Sequence, residues 1–301
     1  MNYRHAFHAG NFADIFKHAV LGRILMHLRA KPAAFRVIDT HAGAGLYDLR
    51  SEEARRGGEW RDGIGRLIQA RTDKILGAEV ETLLLPLFDV LAALNPADAL
   101  ACYPGSPALV RAWLRPQDRL LACELEPAAA ATLAGNLRGD PRIKTLAIDG
   151  WTALSAYVPP KERRGLVLVD PPYERPDEFS SLADGLANAH RKWPTGIYML
   201  WYPVKDRSGP DRLAKALRRL AIPKVLRAEM MVAPPHAEGP LTGSGLILVN
   251  PPWTLENELK VLTPALSRLL ARTPQDDRPA GAARPIARPL WRLDWLAGER
   301  G

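Results

Sequence analysis

The chain has 301 residues, 47% of them hydrophobic and 25% charged, the balance of a water-soluble globular protein and not of a disordered or fibrous one. No stretch is long and apolar enough for a membrane-spanning helix, and the opening MNYRHAFHAG carries charge and histidines where a secretory leader is apolar, so a cytoplasmic protein is expected. The net charge of +8 favours a polyanionic partner, and the two cysteines, Cys102 and Cys123, are too few for a disulfide framework.

The first predicted element is a helix over residues 11–29, where Phe12, Ile15, Phe16, Ala19 and Val20 recur at i, i+3, i+4, i+7 and i+8. Asn11 is its expected N-cap, and Asp14 answers it three residues on in capping-box fashion. Asp14, Lys17 and His18 share a polar stripe beside the apolar one. AFRVIDTHAGAG (34–45) then reads as a short strand breaking into a glycine-rich turn. From Leu46 to about Ala101 there is no strand pattern, and segments such as AEVETLLLPLFDVLAAL predict a helical insertion in a sheet domain. In YPGSPALVRAWL a helix begins, with Ser106 as N-cap and Pro107 at the first helical position. Strands follow at RLLACELE, IKTLAIDG, GLVLVDPPY, GIYMLWYPV, KVLRAEMMV and GLILVNPPW, with helices near 127–138, 151–158, 177–192 and 210–221. Strand–helix alternation predicts a mostly parallel sheet with helices on both faces. The last two strands are joined by a loop alone, which predicts an antiparallel hairpin at one edge. A helix over 254–271 follows, and the proline- and alanine-rich 274–301 reads as an irregular tail.

Two stretches echo each other: GLVLVDPPYE (165–174) and GLILVNPPWT (245–254). Seven predicted strands, a glycine loop after the first and a terminal hairpin match the Rossmann-like α/β architecture of S-adenosylmethionine-dependent methyltransferases, an analogy of fold that does not settle function. In an open α/β sheet, ligands bind at the carboxyl ends of the parallel strands, near the switch point. The strand ending at Val169 is expected beside the first, so Asp170–Tyr173 opens next to the glycine loop. The last strand runs the other way and sends Asn250–Trp253 to the far side, as a structural loop. An exocyclic amine on adenine is a poor nucleophile, and positive charge develops on it as it attacks a sulfonium methyl group. Acceptors aimed at its two N–H bonds stabilise that charge. Asp170 is expected to accept one bond and later the proton, and the Pro171 carbonyl to accept the other. Tyr173 offers a ring for stacking on a base splayed out of its helix. Gly43 and Gly45 let backbone approach a ligand closely.

The stretches YRHAFHAGNFADIFKH, DTHAGAG, YPGSP, ELEP, IDG, DPPY, GIYMLWYPV and SGLILVNPPW occur in the order seen in the RlmJ-type 23S ribosomal RNA (adenine-N6)-methyltransferases, which this chain resembles from Asn2 to about Leu270. The resemblance implies that His18 and His41 contact the methionine end of S-adenosylmethionine, that Ser106 and Asp170 touch the cofactor, and that Glu124 accepts both ribose hydroxyls. It also implies that Asp149 and Gly150 reach the cofactor adenine, beside Gly43 of the glycine loop, and that Tyr3 touches the RNA. Arg4, His5 and Lys17 are candidates for further phosphate contacts and are not assigned to the site. The implied organisation is a methyltransferase domain over 1–45 and 104–273, a helical insertion over 46–103 and the tail at 274–301. The expected partner is 23S ribosomal RNA, bound by a monomer. No metal is expected, because the seven histidines and two cysteines show no ligand-like spacing. Two alternatives stand beside this reading. A DNA amino-methyltransferase would need a target-recognition domain, and the insertion shows no helix-turn-helix pattern. A non-catalytic RNA-binding assembly factor would have no use for the intact Asp170–Tyr173 loop.

Overall fold

The computed structural model describes residues 4–96, 99–235, 239–272 and 290–298. Eight strands form one twisted sheet among them: β1 (Arg36–Asp39), β4 (Arg119–Cys123), β5 (Ile143–Leu146), β6 (Gly165–Val169), β7 (Ile197–Val204), β8 (Val225–Met231), β9 (Gly243–Val249) and β10 (Trp291–Ala297). A separate ribbon pairs β2 (Leu46–Asp48) with β3 (Cys102–Pro104). The sheet order is β10-β8-β9-β7-β6-β1-β4-β5. The run from β7 to β5 is parallel, and β9 lies antiparallel between β7 and β8.

Burial follows the pleat. In β6 the side chains of Leu166 and Leu168 enter one core and those of Val167 and Val169 the other, so a central strand covered on both faces reads as a continuous apolar run. One core is covered by α1 (Phe12–Arg29), α4 (Ala78–Leu94), α5 (Ser106–Trp113) and α10 (Leu255–Leu269). The other is covered by α7 (Gly150–Tyr157), α8 (Glu178–Lys192) and α9 (Ser208–Arg219). Packed against β5, α6 (Pro127–Asn136) starts on a proline, and the Glu126 carboxylate caps it by accepting from the amides of Ala128 and Ala129. The insertion carries α2 (Glu52–Gly57), a π-helical turn at Arg61–Gly65, α3 (Arg66–Thr72) and α4.

The structure departs from the expectations at five points. The sheet has eight strands, not seven, because β10 pairs antiparallel with β8. The tail expected to be irregular is therefore ordered at 291–297; residues 273–289 lie outside the described residues. The insertion, read as helical throughout, is closed by the β2–β3 ribbon, whose three-residue strands are too short to show a period in sequence. Helix α1 is not half-solvated: Asp14, Lys17 and His18 are all buried, because β9, α4, α5 and α10 pack around it. Finally, Gly105 and not Ser106 is the N-cap residue of α5; the Ser106 hydroxyl instead donates to Asp39 Oδ2 at 2.7 Å. The cap of α1 is as expected, since Asn11 Oδ1 accepts from the amides of Ala13 and Asp14 at 2.9 and 3.0 Å. The Asp14 carboxylate reaches back to the Gly10 amide at 2.9 Å, one residue further than a capping box.

Candidate functional site

The carboxyl ends of β1, β4 and β6, with the loop after β5, open into one cavity of about 650 Å³. Each strand delivers one expected residue or loop. After β1 come His41 and Gly43, after β4 Glu124, after β5 Asp149 and Gly150, and after β6 Asp170 and Pro171; all line the cavity. His18 reaches it from α1 and Ser106 from the first turn of α5. Tyr3 lies outside the described residues. Tyr173 does not line the cavity. Its ring packs edge-on against Phe179 and Trp201, its hydroxyl donates to the Trp201 carbonyl at 3.0 Å, and its amide donates to Glu178.

Local chemistry explains the shape of the cradle. Gly43 sits at φ 61°, and a Cβ there would strike the Tyr47 hydroxyl. A Cβ on Gly150 would strike the Thr40 carbonyl oxygen and the His41 ring. Glu124 is held ready: its carboxylate accepts from the Gly43 amide at 2.8 Å and from the Glu126 amide at 2.9 Å. Asp149 caps α7, accepting from the Thr152 amide at 2.8 Å.

Three residues that the sequence reading did not assign to the pocket support it: Lys17 lines it, and Asp14 and Asp39 bond to lining residues. Lys17, grouped there with the phosphate contacts, is buried; its ammonium donates to Asp170 Oδ2 and pairs with Asp14 at 3.0 Å. It is not available to a phosphate. Burial works against that ammonium, but the Asp14 and Asp170 carboxylates more than offset it and raise its pKa. Asp14 in turn keeps its pKa well below the carboxylate range despite full burial, held there by His5 and Lys17. Asp39, at the end of β1, is the opposite case: burial, partly countered by the Ser106 hydrogen bond, pushes its carboxyl up to about 7. The i, i+3 spacing of Asp14 and Lys17 was visible in the sequence; that it faces a part-buried carboxylate 153 residues away was not.

The lining offers several polar groups to a ligand. Two buried polar atoms, His18 Nε2 and Asp39 Oδ1, have no protein partner. Glu124 is a carboxylate fixed at a strand end, and burial lowers the pKa of His18 to about 3 and of His41 to about 4, which makes both neutral hydrogen-bonding groups at pH 7. His18, Ser106, His41, Glu124 and Asp149 all line the same cavity as Asp170. At the other end of the sheet Asn250 is structural in geometry. Its side-chain amide donates to the carbonyls of Pro194 and Gly196, both at 2.8 Å, at the start of β7.

Comparison with known proteins agrees with this geometry. Residues 32–278 match a family model described as ribosomal RNA large subunit methyltransferase D, RlmJ. The ribosomal RNA large subunit methyltransferase J of Escherichia coli K12 is 41% identical over 266 residues, covering 88% of this chain and 92% of that protein. Its namesake from Haemophilus influenzae is 37% identical over 300 residues, covering 99% of this chain and all of that protein. A crystal structure of protein LPL1258 from Legionella pneumophila superposes with a TM-score of 0.81 at 32% identity, covering 95% of this chain and 98% of that one. With its glycine loop, strand-end glutamate and Asp170-Pro171-Pro172 turn sharing one cavity of a Rossmann-like sheet, and with relatives of this closeness along nearly its whole length, the chain belongs to the RlmJ family of ribosomal RNA large subunit methyltransferases.

Proposed function

We propose that the protein transfers a methyl group from S-adenosylmethionine to the exocyclic N6 amine of an adenine in 23S ribosomal RNA. One observation supports this above the rest: Asp170 and Pro171 line the same cavity as the glycine loop and Glu124, on the strand next to β1. The cofactor would lie along His18, His41, Gly43, Ser106, Glu124, Asp149 and Gly150, and it supplies an electrophilic methyl group. The chain's own contribution is to hold the amine. Asp170 Oδ2 is already engaged by Lys17, which fixes the carboxylate's orientation and leaves Oδ1 to accept one amine N–H. The Pro171 carbonyl, stiffened by the Pro171–Pro172 step, accepts the other. Both acceptors oppose positive charge growing on the nitrogen, and Asp170 takes the proton released. Fixing the two partners in one geometry supplies much of the rate. Tyr173, whose φ is 54°, braces the turn through its bonds to Glu178 and Trp201; stacking on the base would require its ring to leave Phe179.

Arg4 and Arg175 also line the cavity, among Glu53, Glu126 and Glu174, and their exposed guanidinium groups could meet a phosphate backbone. The deciding experiment maps N6-methyladenine in 23S RNA from cells with and without the protein, and assays the purified protein on that RNA and on DNA. One methyladenine that disappears with the protein is the expected result. Unchanged RNA methylation together with turnover on DNA would overturn the reading.

A further inference from the structure

Tyr47 and Tyr103 stand opposite one another across the ribbon that closes the insertion. Both are buried, and their hydroxyls reach two separate parts of the cavity lining. The Tyr103 hydroxyl lies 2.8 Å from His18 Nδ1, and the two rings stack with centroids 5.6 Å apart. The Tyr47 hydroxyl accepts from the Ala44 amide at 3.1 Å, inside the glycine loop. We propose that this pair is a positioning device: Tyr103 fixes His18 as the tautomer protonated on Nε2, ready to donate to the carboxylate of the ligand, and Tyr47 fixes the loop beside it.

The tautomer follows from counting donors and acceptors. Tyr103 is 0% exposed, and His18 Nδ1 is its hydroxyl's one hydrogen-bond partner among the described residues. A buried O–H without an acceptor is costly, so the hydroxyl donates and Nδ1 accepts. A neutral ring accepting at Nδ1 carries its proton on Nε2. That nitrogen is buried and has no protein partner, while its residue lines the cavity. The adjacent Lys17 cannot serve a carboxylate, because Asp14 and Asp170 already hold its ammonium. The uncharged Nε2–H in the cavity wall is then a donor available to an anionic group. The inserted segment thus acts on the pocket through two hydroxyls, and neither tyrosine needs to touch a reacting atom.

The proposal rests on reading the cavity as the cofactor pocket, and the test separates the two. Long-range proton–nitrogen correlation on the nitrogen-15-labelled, ligand-free protein reads the His18 tautomer directly. The wild type is expected to show Nδ1 unprotonated and Nε2 protonated. In Tyr103→Phe, which keeps the ring and its packing, the two signals should move towards the averaged values of exchanging tautomers. S-adenosylhomocysteine affinity, measured by calorimetry, should weaken about tenfold in Tyr103→Phe. Tyr47→Phe should weaken it by a similar factor while leaving the His18 signals in place. A wild-type His18 protonated on Nδ1, or a Tyr103→Phe protein with wild-type signals and affinity, would overturn the proposal. Absence of S-adenosylhomocysteine binding by the wild type would sink the cofactor reading, and the His18 signals would still decide the tautomer.

Discussion

Replacing Lys17 with methionine removes the charge at the centre of the site while keeping a long apolar side chain. In the wild type this ammonium, 6% exposed, joins Asp14, whose side chain is 3% exposed, to Asp170. Without it Asp14 keeps the Gly10 amide and His5, but two carboxylates face each other with no cation between them. Breaking a buried ion pair by removing one partner costs about 3–5 kcal/mol. For a chain of this size each kcal/mol moves the melting temperature by roughly 2–4 °C, which gives a fall of about 6–20 °C at pH 7.5. The sign of the pH dependence is fixed by Asp14, whose folded pKa is depressed. Its contribution is present above the unfolded carboxylate value and lost as pH falls through the folded one, so the gap between wild type and variant should narrow towards acid. Calorimetry at pH 7.5 and pH 3 measures both quantities. Lys17→Met with Asp170→Asn should recover part of the loss, because one uncompensated charge is gone. A melting temperature within about 1 °C of wild type, or a gap that widens in acid, would show that the ammonium does not hold these carboxylates together.

The remaining predictions concern the two echoing loops and the buried acid at the end of β1. Asp170→Asn should lower kcat roughly 100- to 10,000-fold in a methyl-transfer assay while S-adenosylhomocysteine affinity stays within a few-fold; robust turnover would remove the assigned role. Asn250→Ala should leave turnover near wild type but cost about 1–3 kcal/mol in urea unfolding, since it loses two hydrogen bonds and places alanine at φ 51°. Because burial raises the Asp39 carboxyl to about 7, the folded state holds a proton that the unfolded chain releases near pH 4. The Asp39 contribution to stability should therefore be full below pH 4 and fall by up to about 4 kcal/mol as pH rises to 7, so the difference between wild type and Asp39→Asn in urea titrations should change by that amount across this range.

The central sheet was legible because strands covered on both faces are written as unbroken apolar runs, as in GLVLV, and because glycine and proline punctuate them. That the Asp170 and Asn250 loops lie at opposite ends of the sheet needed only the direction of one strand. Three features were hidden for different reasons. Strand β10 does alternate, with Trp291, Leu293 and Trp295 separated by Arg292 and Asp294, but a proline- and alanine-rich run masks it. The β2–β3 ribbon is too short to carry a period, and so the tyrosine pair it presents was missed. The polar stripe of α1 was seen, yet its burial depends on the partners packed around the helix, which no local pattern encodes.

Strand β10 also guards the border of the sheet. Its backbone satisfies β8 from Val225 to Met230, and Asp294 grips the guanidinium of Arg227, 4% exposed, through two bonds of 2.9 and 2.8 Å. A protein shortened at Arg272 would present that row of unpaired amides and carbonyls together with a stranded cation. Such a rim recruits any extended segment that can zip onto it, including the same rim on a neighbouring molecule. Truncated at that point, the chain should scatter light at concentrations where the full-length protein stays clear.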